Sequence, residues 1–134
     1  REQGSLDCLL VNTTGELKFF YEEATVVFIG KSLAARGGQN PIEPAGLAKP
    51  IVLGPHMDNF TEITAKFLAN DAAVQVADEI ALEAAIDDLL GDKPKRDALG
   101  QAARKVVQSN EGAVERTVDM ILSGTETAGM VQKY

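Results

Sequence analysis

The sequence predicts one α/β domain built on a parallel, Rossmann-like sheet. Three observations carry that reading. Short apolar runs alternate with amphipathic helical stripes. The runs are apolar on both faces, as parallel strands covered from both sides are. Loops rich in glycine and proline follow two of the runs directly, at the edge where open α/β sheets bind ligands. The 134 residues suit a single domain. A composition of 45 % hydrophobic and 25 % charged residues is that of a soluble globular protein and excludes a disordered chain, a collagen and a coiled coil.

The first run is Cys8, Leu9, Leu10 and Val11, and Cys8 within it reads as a buried, inert thiol. Leu17, Phe20, Tyr21 and Ala24 then recur at i, i+3, i+4 and i+7, a helical stripe. The second run is Val26 to Ile29. After a long loop, Asn40 reads as a helix N-cap, Pro41 as the first helical residue and Glu43 as the capping-box glutamate. Ile51 to Leu53 form the third run. Asn59 and Glu62 repeat the cap spacing ahead of a stripe of Phe60, Ile63, Phe67 and Leu68. Ala73 to Val76 form the fourth run, which places strands near 8–12, 25–30, 50–53 and 73–76. Crossovers of this kind are right-handed.

Three helices are expected next, as cover for the sheet. Their faces are Leu82, Ile86, Leu89 and Leu90; then Leu99, Ala102, Ala103, Val106 and Val107; then Val114, Thr117, Val118, Ile121 and Leu122. The segment Gly91-Asp92-Lys93-Pro94 separates the first two, and Asn110-Glu111-Gly112 the last two. The domain is therefore expected over 1–124, with a flexible tail over 125–134.

Charge and composition narrow the function. Thirteen Lys and Arg against twenty Asp and Glu give a net charge of −7. A chain of that sign is repelled by phosphate backbones and anionic lipid, so no nucleic-acid partner is expected. One cysteine and one histidine exclude an internal disulfide and a Cys/His zinc cluster. No metal and no cofactor are expected. No apolar stretch approaches the roughly 20 residues of a spanning helix, and residues 1–7 are too polar to open a signal peptide.

Two loops, residues 30–45 and 54–62, hold the chemistry. Gly37 and Gly38 can bring bare backbone against a ligand. The amides around Gly38 to Asn40 and the helix start behind them offer an anion site. Each feature has a structural reading too: a cap, a turn, a solvated histidine at His56, surface charges at Lys31 and Arg36. Their coincidence on one sheet edge points to a ligand site without naming the ligand.

At these loops the chain resembles the carboxyl-terminal part of the 3-deoxy-D-manno-octulosonic acid (Kdo) transferases. The resemblance rests on Asn12-Thr13-Thr14-Gly15-Glu16-Leu17, on Val26-Val27-Phe28-Ile29-Gly30-Lys31-Ser32 and on Arg36-Gly37-Gly38-Gln39-Asn40-Pro41-Ile42-Glu43-Pro44-Ala45. It continues through Gly54-Pro55-His56-Met57-Asp58-Asn59-Phe60 and Asn110-Glu111-Gly112-Ala113. The family usually has Asp at Asn12, a second Gly at Lys31 and often His at Gln39.

The resemblance implies a partial C-terminal domain of a GT-B glycosyltransferase, truncated at its N-terminal side. Its implied activity is inverting transfer of Kdo from CMP-Kdo to the lipid A precursor, in lipopolysaccharide biosynthesis. The acceptor-binding domain, the membrane anchor and the general base would lie upstream, so no catalytic residue is expected in this chain. The fragment alone should be soluble and inactive, and the whole enzyme should sit on the cytoplasmic side of the bacterial inner membrane.

The donor would meet Glu43 at its ribose hydroxyls, because a carboxylate accepts two hydrogen bonds and matches a vicinal diol. Gly38, Gln39 and Asn40 would face the phosphate or the sugar carboxylate. Thr14, Gly15 and Glu16 would border the cytosine. His56 and Asn59 would line the Kdo side. Gly30, Ser32 and Glu62 complete the expected donor site. Two alternatives stay open: another GT-B enzyme using a UDP-sugar, and a non-catalytic, flavodoxin-like module. With the strand order 3-2-1-4-5-6, runs 8–12 and 25–30 are strands three and four. Run 25–30 then becomes an apolar edge, expected either to take up 8–12 in the same chain or to pair with a second copy.

Overall fold

The computed structural model describes residues 6–132, with side chains described to residue 124. Residues 1–5 of the expected domain and 133–134 of the expected tail lie outside the described residues.

The centre of the molecule is β2 (Ile51–Leu53), whose three side chains are fully buried. On one side lies β1 (Val27–Phe28), and on the other β3 (Val74–Gln75), both parallel to β2 in the order β1-β2-β3. Val27 pairs with Ile51, and Val52 with Val74. The ladder runs on past each strand: Ile29 N–H donates to Val52 O and Val76 N–H to Leu53 O, both at 2.9 Å. Three of the four expected strands thus stand where the apolar runs predict them, parallel and in sequence order.

Because side chains alternate across a strand, β2 feeds two cores. Ile51 and Leu53 join a cluster with Phe67, Ala103 and Val107 on one face. Val52 joins Val76 and Leu89 on the other. That two-sided burial is why the run is apolar throughout. After β1 comes the short helix α2 (Ile42–Gly46), and after β2 a single 3₁₀ turn (Asp58–Phe60) leads into α3 (Thr61–Ala69). Ahead of β1, α1 (Leu17–Glu23) lies against α2.

The last third is helical. Asp78 starts α4 (Glu79–Gly91), its carboxylate accepting from Ala81 N–H at 2.8 Å. Asp92 divides this helix from α5 (Lys93–Gln132), capping Lys95 N–H at 3.0 Å. The Arg96 guanidinium returns to the carbonyls of Leu89 and Leu90, closing the end of α4.

Four expectations are corrected. Run 8–12 is no strand. It is irregular and exposed, with Leu9 62 % and Leu10 86 % accessible. A strand needs a neighbour for its amides and carbonyls, and 8–12 does not pair with β1 in this chain. Cys8 is accordingly an exposed thiol rather than a buried one. Asn110-Glu111-Gly112 does not break the helix: α5 passes straight through it and on to Gln132, into the expected tail. One interior glycine costs only about 1 kcal/mol, too little to stop a helix already anchored by Ala103, Val106 and Val107. The third stripe does not cover the sheet either, since Val114, Val118, Ile121 and Leu122 are 47–61 % accessible.

Two glycines of α5 test this packing with opposite signs. A Cβ on Gly100 would lie 2.0 Å from the Ala48 carbonyl oxygen. Gly100→Ala should therefore lower stability by about 1–3 kcal/mol through overpacking. A Cβ on Gly112 would meet only the Arg116 guanidinium, at 3.5 Å. Gly112→Ala should raise stability by about 0.5–1 kcal/mol. Urea unfolding of both variants checks the pair, and equal signs would contradict the continuous, one-sidedly packed α5.

Candidate functional site at the carboxyl edge of the sheet

The loops after β1 and β2 are joined by one side chain. Ser32 is fully buried. Its hydroxyl donates to Ile29 O at 2.5 Å and accepts from Gly54 N–H at 2.8 Å. Its carbonyl accepts from His56 N–H at 2.8 Å, and the Gly37 carbonyl accepts from Asn59 N–H at 3.0 Å. The glycines follow from this closeness. A Cβ on Gly54 would sit 2.2 Å from the Ser32 carbonyl oxygen, and one on Gly38 2.4 Å from the Met57 sulfur.

Two expectations change here. Gly37 and Gly38 make room for the second loop, Gly37 against the Asn59 amide and Gly38 against Met57, rather than for a ligand. The amides of Gly38 and Gln39 close the first loop on itself, donating to Lys31 O and Gly30 O at 2.9 Å. They are not free for a phosphate. Lys31 in this turn has φ +55°. That left-handed conformation costs a side-chain-bearing L-residue roughly 1–2 kcal/mol, which explains a glycine there in the family that the sequence resembles.

The start of α2 is built as its sequence predicts. Asn40 Oδ1 accepts from Ile42 N–H at 2.9 Å, and Pro41 already has helical angles, φ −85° and ψ −9°. Glu43 does not turn back to complete a capping box. Its side chain is exposed and makes no hydrogen bond or ion pair with a described residue. With five residues, α2 carries little dipole, so the recognition chemistry rests on side chains.

Those side chains line a cleft of about 450 Å³ over the end of β1. Gln39, Asn40 and Glu43 give it polar groups; Leu17, Phe28 and Ile29 give it apolar ones, and Gly30 completes it. Tyr21 of α1 also enters it, and sequence reasoning missed this residue as a site candidate. The signal was present: a tyrosine, unlike its stripe partners Leu17 and Phe20, carries a hydroxyl that wants a partner. Burial raises the Tyr21 phenol above its ordinary pKa, and the Glu43 carboxylate raises it further. The phenol therefore stays a neutral donor throughout the physiological range.

Of the expected donor residues, the structure brings Gly30, Gln39, Asn40 and Glu43 together. Ser32 and Gly38 are buried beneath them as supports. His56, half-buried, and Asn59, exposed, lie on the second loop outside the cleft. Asn59 does not cap α3, which the 3₁₀ turn leads into instead, and Glu62 is exposed in the first turn of α3. Thr14 and Gly15 precede α1, where Thr13 Oγ1 donates to Glu16 Oε2 at 2.7 Å, and none of them lines the cleft. A larger cleft of about 540 Å³ lies between α3 and α5 and shares no residue with this one. Its Lys66 ammonium is engaged by Asn110 Oδ1 at 2.9 Å. Among the described residues no cluster of His, Cys, Asp and Glu is placed to hold a metal ion, and no helix is long and apolar enough to cross a membrane.

No family model matches the chain. The crystal structure of the C-terminal CMP-Kdo binding domain of WaaA from Acinetobacter baumannii superposes with a TM-score of 0.69 at 31 % identity, covering 73 % of this chain and 51 % of that one. Sheet and helices are thus those of part of a carboxyl-terminal Rossmann-like domain. The 3-deoxy-D-manno-octulosonic acid transferase of Haemophilus influenzae is 35 % identical over 114 residues, 84 % of this chain. That of Bordetella pertussis is 38 % identical over 117 residues, 87 % of this chain. The chain spans 27 % of the length of each. Over that length its sequence is similar to the 3-deoxy-D-manno-octulosonic acid transferases, and its fold to the carboxyl-terminal domain of one.

Ser32→Ala should show how far the cleft depends on the loop junction. It leaves Gly54 N–H buried without a partner, a loss of about 1–3 kcal/mol. Thermal unfolding reads that loss, and an unchanged midpoint would contradict the bridging role.

Proposed function

We propose that this chain is the donor-binding part of a Kdo transferase and that the cleft over β1 takes CMP-Kdo. One observation carries the reading: the unpartnered Glu43 carboxylate stands in an apolar-walled cleft beside Asn40 and Gln39. A carboxylate with both oxygens free matches the vicinal hydroxyls of a ribose. Asn40 and Gln39 add amide groups for the phosphate or the sugar carboxylate, and Tyr21 with Phe28 offers aromatic surface to the base. The likeness to a CMP-Kdo binding domain supports the choice of cytidine nucleotide. Thr14, Gly15, Glu16, His56, Asn59 and Glu62, which do not line this cleft, are further proposed donor contacts.

In the whole enzyme the reaction is inverting transfer of Kdo from CMP to a hydroxyl of the lipid A precursor. A base outside this chain takes the proton of that hydroxyl as the nucleotide leaves. Residues 1–124 stabilise the leaving nucleotide and supply no catalytic group of their own. The acceptor is held by an amino-terminal domain, at the cytoplasmic side of the inner membrane. The open edge of β1 is the place where a second copy of this chain pairs. The exposed Phe28, Leu9 and Leu10 support that. Sedimentation equilibrium should give a dimer, and a strict monomer would remove the pairing.

Calorimetric titration with CMP and UDP tests the donor reading. CMP should bind, and more tightly than UDP. Glu43→Ala should weaken CMP by about 10–100-fold, the loss of a hydrogen bond to a charged group. Unchanged CMP affinity in that variant would take Glu43 out of the site. A preference for UDP would favour a UDP-sugar enzyme, and binding of neither nucleotide a non-catalytic module.

A further inference from the structure

Beyond the loop after β2, a smaller cavity of about 250 Å³ opens between α3 and the end of β3. Met57, Asp58, Thr61, Thr64, Leu68 and Gln75 line it. Thr64 is 6 % exposed, and its hydroxyl has no hydrogen-bond partner. Among the described residues it is the one buried side-chain polar atom left so. A buried, unpaired hydroxyl is costly and calls for an explanation. The groups around it are those of a hydroxyl-binding site. The Asp58 carboxylate makes no hydrogen bond or ion pair with a described residue. Gln75 donates one amide hydrogen to Gly54 O at 3.4 Å, which leaves its amide oxygen as an acceptor. Met57 and Leu68 supply apolar surface.

The charge decides the ligand class. The lining holds a carboxylate and no cation, so it repels phosphate and carboxylate groups. Neutral hydroxyls can donate to Asp58 and Gln75 and pair with Thr64. The volume is below the roughly 300–1,000 Å³ of drug-sized sites and suits one sugar-sized group. Met57 lines this cavity and also packs against Gly38, in the turn that leads to Gln39 and Asn40 of the first cleft. Met57 thus links the lining of this cavity to the turn that carries the polar side chains of the first.

We propose that this cavity is a polyol subsite that holds the hydroxylated tail of the donor sugar, with the sugar's own carboxylate left outside. The assignment rests on the donor reading above, and its test separates the two. Methyl NMR of the chain is followed during titration with free 3-deoxy-D-manno-octulosonic acid and, separately, with CMP. The free sugar should shift the Thr64 and Leu68 methyls saturably. Thr64→Val keeps the shape and removes the hydroxyl. It should weaken the sugar about fivefold, leave CMP affinity unchanged and leave the melting temperature equal or higher. Asp58→Ala should weaken the sugar as well. If CMP binds but the sugar moves no methyl of the cavity, the subsite falls and the donor reading stands. If the sugar binds there and CMP binds nowhere, the donor reading falls and only the cavity's polyol binding stands. A marked drop in melting temperature for Thr64→Val would give the hydroxyl a structural role and overturn the proposal.

Discussion

The candidate site depends on one buried hydroxyl. Ser32 ties the end of β1 to the first residue after β2, and its carbonyl holds His56 two residues further on. A strand-end loop by itself is free to move, because few of its backbone groups have partners. Here two such loops satisfy one another, and no Cβ fits between them at Gly54 or Gly38. The result is a rigid edge on which Gln39, Asn40 and Glu43 stand at fixed positions. Preorganised groups of this kind bind without first having to be ordered.

Much of the fold was legible because its central strand is buried on both faces, so Ile51 to Leu53 reads as a continuous apolar run. The flanking runs Val26 to Ile29 and Ala73 to Val76 carry the same signal, although Phe28 and Gln75 within them are exposed. The run at 8–12 carries the same signal and yet pairs with no strand among the described residues. Periodicity reports what a segment would bury, and a strand also requires a neighbour. The helix through Asn110-Glu111-Gly112 misled for a different reason. Of those residues Gly112 disfavours a helix by about 1 kcal/mol and Asn110 by less, and the packed first half of α5 carries the backbone past them.

At the site, the residue types were legible and their partners were not. Asn40, Pro41 and Glu43 follow local rules, and the first two cap and start α2 as the spacing predicts. Gly37, Gly38 and Ser32 answer to contacts more than 15 residues away in sequence, which no local rule contains. Tyr21 was hidden inside a helical stripe, where its ring looks like core and its hydroxyl goes unnoticed. Lys31 shows the reverse. Its departure from the family pattern was plain, and only the backbone angle of +55° explains why glycine belongs there.

Native-state hydrogen exchange tests the loop junction most directly. Amides held by one shared structure open together and show one opening free energy. The amides of Gly38, Gln39, Gly54, His56 and Asn59 bridge or close the two loops. They should exchange with a common opening free energy, and all should speed up together in Ser32→Ala. If Gly38 and Gln39 opened far more readily than Gly54 and His56, and only the latter pair responded to Ser32→Ala, the two loops would be independent. The account of the site as one rigid edge would then be wrong.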